Sequence, residues 1–219
     1  MEGMIEANRV WFKYDKRWIF RDLSLAIRDG LTLIMGPNGC GKTTLAKILS
    51  GLLMPQRGSI LIDNINIYSG GDRAEEKLKE VVYVHDKPVI LRGTVYDNLL
   101  YGLNTLGIDD KGRLEELIDR FNLRGLLNTR SRELSAGQRQ ITSLVRAFAT
   151  NPRYLILDEP LAYLDVDRRN MVIDYLRERK RDTNIIIATH EQSIIDLADN
   201  ILVFIGEGII RYREEAYNP

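Results

Sequence analysis

The chain has 219 residues, with 31 Lys+Arg against 31 Asp+Glu and a formal net charge of zero, so no global field draws it to nucleic acid or another polyanion. That length suits one large α/β domain with room for a small insertion and leaves no space for two independent domains. No apolar run approaches the roughly 18 residues of a membrane span, Met1-Glu2-Gly3-Met4 lacks a basic-then-apolar leader pattern, and the single cysteine, Cys40, allows no intramolecular disulfide.

The compatible compartment is therefore the reducing cytosol, with any membrane role supplied by a partner subunit. Along the chain, Val10, Phe12 and Tyr14 alternate with Trp11 and Lys13, and Ile60-Leu61-Ile62 follows a Gly58-Ser59 turn. Both read as strands of a small antiparallel sheet. Leu31-Thr32-Leu33-Ile34-Met35, Val81-Val82-Tyr83-Val84, Tyr154-Leu155-Ile156-Leu157, Ile185-Ile186-Ile187 and Ile201-Leu202-Val203-Phe204-Ile205 are continuous apolar runs. Runs of this kind suit parallel strands buried on both faces. From about residue 94 to 150 the period turns helical, with one stripe through Leu114, Leu117, Ile118 and Phe121 and another through Ile141, Leu144, Val145 and Phe148. Thr94 and Asp97 form a capping box that opens the first of these helices. The expected fold is α/β with a mainly parallel sheet, an antiparallel β part and an inserted helical subdomain: residues 1–91 and 151–219 as the core, residues 92–150 as the insertion. No repeat, linker or appended regulatory domain is expected.

The first apolar strand runs directly into Gly36-Pro37-Asn38-Gly39-Cys40-Gly41-Lys42-Thr43-Thr44 and then an apolar helix. This is G-x-x-x-x-G-K-[ST] in the strand-loop-helix setting that makes it a phosphate-binding loop, and it predicts a P-loop NTPase core. Glycines let successive N–H groups turn toward phosphate oxygens, and the helix N-terminus adds its positive dipole end. Lys42 would reach the β- and γ-phosphates and Thr43 would ligate Mg²⁺. Cys40 fills a variable loop position, although a thiol among backbone donors could also serve as a redox-sensitive group. The run ending Leu157-Asp158-Glu159 delivers two acids to the carboxyl end of a strand, where α/β sheets bind ligands. Neighbouring side chains on extended backbone point apart, so Asp158 can hold the Mg²⁺ shell while Glu159 orients or deprotonates the attacking water.

Leu134-Ser135-Ala136-Gly137-Gln138, at the start of the helix bearing Ile141, resembles the L-S-G-G-Q signature of ABC ATPases. Taken alone it is an ordinary Ser N-cap. The resemblance to that family covers nearly the whole chain and implies a head-to-tail dimer, in which Ser135, Gly137 and Gln138 of one subunit cover the ATP held by the other. Tyr14 resembles the aromatic residue that stacks on adenine, Leu161-Ala162-Tyr163-Leu164-Asp165 the loop whose Asp crosses the interface, and His190 the switch histidine at the γ-phosphate. Two departures are Ala136 in place of the first signature Gly, and Asp86, two residues before Pro88, where the family carries a Gln that meets Mg²⁺ and the attacking water. Asp86 can still ligate Mg²⁺, with shorter reach and an added negative charge. The stretch from Lys87 through Leu103 resembles importer ATPases, most closely those of tungstate and related oxyanion systems. An integral-membrane permease, indirectly a solute-binding protein, and a peripheral position on the cytoplasmic side of the membrane are implied with it.

A soluble ABC ATPase of DNA repair or translation is the second reading, but such proteins carry long coiled-coil insertions or tandem cassettes, and neither occurs here. A P-loop GTPase or kinase is the third: Asp109-Asp110-Lys111-Gly112 contains D-x-x-G, yet no N-K-x-D occurs anywhere, and the signature segment has no role in those families.

Overall fold

A computed structural model describes residues 3–205 and 209–213. In chain order its strands are β1 (Met4–Tyr14), β2 (Arg17–Arg28), β3 (Leu31–Met35), β4 (Arg57–Ile62), β5 (Ile65–Asn66), β6 (Val81–Val84), β7 (Tyr154–Asp158), β8 (Asn184–Thr189), β9 (Asn200–Ile205) and β10 (Ile209–Arg213). The α-helices are α1 (Lys42–Leu49), α2 (Asp72–Lys79), α3 (Val95–Leu106), α4 (Lys111–Arg120), α5 (Ala136–Ala149) and α6 (Val166–Arg179). One sheet runs β2-β1-β4-β5 and is antiparallel; the other runs β10-β9-β3-β8-β7-β6 and is parallel except at β10.

The continuous apolar runs fold as strands covered on both faces. Leu155, Leu157, Ile185 and Ile187 join a core with Leu99 of α3, Leu117 of α4, Leu144 of α5 and Leu176 of α6. Their sequence neighbours Tyr154, Ile156, Ile186 and Ala188 join a second core with Leu45 and Leu49 of α1 and the inner face of the antiparallel sheet, where Ile5, Ala7, Val10 and Phe12 point inward. The period-2 alternation of β side chains thus sorts one strand's residues between two layers. At roughly 25 cal/mol per Å² of apolar surface removed from water, these two cores are the main source of stability.

Two local features differ from the sequence expectation. Gly58 and Ser59 are not a turn; they lie inside β4, where an added Cβ at Gly58 would come within 2.4 Å of the Arg9 carbonyl oxygen of β1. Only glycine permits that close crossing. The turn falls instead at Asp63 and Asn64, whose φ of 50° and 64° are the left-handed pair of a tight hairpin joining β4 to β5. The helical stretch is three helices, and the Thr94–Asp97 capping box closes as expected, with the Thr94 side chain accepting from the Asp97 N–H.

Four parallel neighbours, β3, β8, β7 and β6, end at one rim of the large sheet. The segments leaving them carry residues 36–41, Thr189 with His190, Asp158 with Glu159, and His85 with Asp86. Sequence positions more than 150 apart are gathered there by strand order alone.

Candidate functional site

Lys42 is the first residue of α1, and Gly41 caps that helix at φ 113°, a backbone that disfavours side chains. A Cβ at Gly41 would also press within 2.9 Å of Ile19. The Lys42 ammonium, 6% exposed, donates to the carbonyl oxygens of Gly36 at 2.8 Å and Pro37 at 3.2 Å, which folds the loop around it. A cavity of about 320 Å³ opens over this loop, lined by Tyr14, Ile19, Asn38, Gly39, Gly41, Lys42, Thr43, Thr44, Asp86 and Glu159. Tyr14, 46% exposed, forms an aromatic wall at the end of β1, braced edge-on by Phe12 at 5.0 Å. Cys40 does not line the cavity; it is buried in the core beneath the loop.

Asp158, at the carboxyl end of β7, is fully buried. Its Oδ2 accepts from the Tyr83 hydroxyl at 3.0 Å, whereas its Oδ1 has no hydrogen-bond partner. Burial pushes its carboxyl above the usual range, the nearby charges of Asp86 and Glu159 add to the rise, and the Thr43 and Tyr83 hydroxyls oppose it. A buried carboxylate oxygen left unsatisfied, beside a threonine hydroxyl and among further acids, fits a hard divalent cation, which would restore the ionised form. Among the described residues no three His, Cys, Asp or Glu side chains converge to hold an ion by themselves. The residues that could hold such an ion are Thr43 and Asp158, with Asp86 on the adjoining cavity wall.

Glu159 stands one residue on, at φ 46°, a left-handed conformation that costs a non-glycine residue roughly 1 kcal/mol. Its N–H donates to the Ala188 carbonyl oxygen at 2.8 Å, which fastens the turn to β8. Its Oε1 lies 2.8 Å from Nδ1 of His190, and its Oε2 accepts from the Thr189 hydroxyl at 2.9 Å. Asp158 and Glu159 face different surroundings, one buried toward Tyr83 and the other at the cavity wall, and the left-handed turn at Glu159, not extended-chain alternation, separates them.

Ser135, Gly137, Gln138 and Asp165 do not line this cavity. Ser135 is the N-cap of α5 and closes a capping box, its side chain accepting from the Gln138 N–H while the Gln138 side chain accepts from the Ser135 N–H. Ala136 is the first residue of the helix, where right-handed backbone makes glycine unnecessary. A Cβ at Gly137 would come within 2.8 Å of the Tyr163 carbonyl oxygen, so the signature turn packs directly on the loop of residues 161–165. Asp165 caps α6 by accepting from the Arg168 N–H at 2.9 Å.

Several contacts were not legible beforehand. Tyr83 and Thr189, which hold the two acids, and Ile19, which floors the cavity under the loop, are ordinary strand residues in the sequence. Gln140 is fully buried on α5 and donates to the Pro160 carbonyl oxygen at 2.9 Å, tying the signature helix to the turn that carries Glu159. A polar side chain inside an apolar helical stripe is the one signal that could have pointed to it.

Residues 20–162 match the family described as ABC transporter. The chain is 33% identical to a taurine import ATP-binding protein of Yersinia pestis over 207 residues, covering 91% of this chain and 79% of that protein. It is 31% identical to an energy-coupling factor transporter ATP-binding protein of Oceanobacillus iheyensis, covering 91% of this chain and 75% of that protein. A solved structure titled as the ATP binding subunit of an ABC transporter superposes with a TM-score of 0.87 at 23% identity, covering 96% of this chain and 90% of that chain. The last likeness is one of fold alone. No helix among the described residues is long and apolar enough to cross a membrane.

Proposed function

Because the chain belongs to the ABC transporter family, as an ATP-binding and ATP-hydrolysing subunit that powers a transporter, we propose that it drives a solute importer as one half of a head-to-tail pair. The observation that carries the pairing is the separation within one chain: the phosphate loop and Glu159 line one cavity, while Ser135 stands outside it at the start of a capped helix. A helix N-terminus is an anion site awaiting a phosphate, and a second copy can supply one. In this reading Tyr14 stacks on adenine, residues 36–44 enclose the phosphates, and Thr43 and Asp158 hold Mg²⁺, which neutralises phosphate charge. Glu159 takes the proton of the attacking water, His190 and Asp86 face the γ-phosphate side, and Asp165 reaches across the pair. Catalysis is positioning and charge stabilisation, as phosphoryl transfer requires.

The import direction is supported by the taurine import relative. The membrane subunit would dock in an apolar groove of about 310 Å³ lined by β6, Val89, Leu91, Tyr101, Leu106 and Ala147. Arg146, which donates to the Val89 carbonyl oxygen at 2.7 Å, joins the groove to α5. Residues 92–150 would then turn as one body against the core and pass closure of the pair to the membrane, with a solute-binding protein choosing the cargo. The test is Mg²⁺-dependent ATP hydrolysis by the purified chain as a function of its concentration. Specific activity should rise with concentration; a constant value from a verified monomer would mean that each chain holds a complete site.

A further inference from the structure

We propose that Thr189 is a positioning residue that fixes the carboxylate of Glu159; the inference rests on Glu159 being the group that activates water. Thr189 is the last residue of β8 and is 2% exposed. Its Oγ1 accepts from the Glu191 N–H at 3.1 Å and lies 2.9 Å from Glu159 Oε2. A hydroxyl has one proton. With an amide already aimed at the oxygen, that proton goes to the carboxylate, so the relay from amide to hydroxyl to carboxylate has a fixed direction. The start of the relay is pinned as well, because Arg169 of α6 pairs with the Glu191 side chain.

The other contact to Glu159 is weaker as an anchor. His190 meets Oε1 at 2.8 Å, but its side chain is 58% exposed and it stands one residue beyond the end of β8. Thr189 is held in the strand and packed. The Glu159 backbone is itself in a costly left-handed turn, so its side chain needs a second tether to point one way. Thr189 does not line the nucleotide cavity, which places its influence on turnover and not on ATP binding.

The substitution Thr189→Val removes the hydroxyl and keeps the branched shape. A hydrogen bond to a charged group is worth about a factor of ten in rate. Thr189→Val should therefore lower kcat for ATP hydrolysis about tenfold while KM and the affinity for a fluorescent ATP analogue stay within about twofold, and Thr189→Ser should restore most of the rate. Parental kcat in Thr189→Val overturns the inference, provided that Glu159→Gln stalls turnover. Equal losses in both Thr189 variants, with weakened nucleotide binding, would also overturn it and leave Thr189 a packing residue. Glu159→Gln turning over at the parental rate would instead defeat the assignment of Glu159, and with it the role of its tether.

Discussion

Lys42 shows how a single residue is defined by its partners. An ammonium this deeply buried is tolerable only if its N–H groups are satisfied, and the Gly36 and Pro37 carbonyl oxygens supply two acceptors from the loop it must grip. The remaining donor direction is the one available to a phosphate oxygen. Lys42→Ala should raise the ATP dissociation constant at least tenfold, the value of about one charge-assisted hydrogen bond, with the fold intact by circular dichroism. Unchanged affinity in a nucleotide titration would contradict the phosphate-cradle reading. The residue and its neighbours were legible in the sequence because the bonds that fold the loop around Lys42 link residues five and six apart. The Tyr83 bond to Asp158 was not, since it links positions 75 residues apart through the register of β6 on β7.

At the scale of an element, α5 carries two roles at one end. Ser135 and Gln138 close a capping box, which satisfies N–H groups that the first turn of any helix leaves open. The same residues are the ones proposed to meet the partner's γ-phosphate. Two substitutions separate these roles. Ser135→Ala should cost about 1 kcal/mol in urea unfolding through the lost cap. Ser135→Asp keeps a capping oxygen and should leave stability near the parental value, while its charge beside the partner's phosphates should stop ATP hydrolysis. Parental hydrolysis by Ser135→Asp would remove Ser135 from the composite site. The capping box of α3 and the Ser135 cap of α5 could be read from local spacing; the Gln138 half of the α5 box and the packing of Gly137 on Tyr163 were found only in the structure.

At the scale of the molecule, Asp63 joins the two sheets. From the β4–β5 turn its Oδ1 accepts from the Tyr154 hydroxyl of β7 at 2.6 Å and from the Met4 N–H of β1 at 3.2 Å, while Oδ2 pairs with Lys77 of α2 at 3.1 Å and Arg153 at 3.2 Å. Burial alone would raise its carboxyl, but the bonds to Tyr154, Lys77 and Met4 and the charge of Arg153 outweigh it, and the group sits below its ordinary value. A depressed acid stabilises the fold above its unfolded value of about 3.9 and loses that contribution as pH falls through the lower folded value. Asp63→Asn should therefore be least stable relative to the parent near pH 7, and the gap should close progressively below about pH 4 in urea unfolding. A gap that is constant with pH would show that the charge is not what the hub uses.

Amino-acid order alone determined the phosphate loop, the acid pair at the end of β7, the buried parallel strands, the helical stretch, the capping box of α3 and the Ser135 cap of α5. Each follows from spacings of a few residues, over which backbone geometry leaves little choice. It misplaced the turn at Gly58, because a glycine that admits a neighbouring strand and one that bends the chain are spelled alike. Tertiary structure alone decided that Tyr83 and Thr189 hold the two acids, that Gln140 ties the signature helix to Pro160, and that Ser135 lies outside its own chain's cavity. Those facts depend on strand order and register across the parallel sheet. Strands that are apolar on both faces carry little alternation of their own to fix register, so order and register follow from how the layers pack.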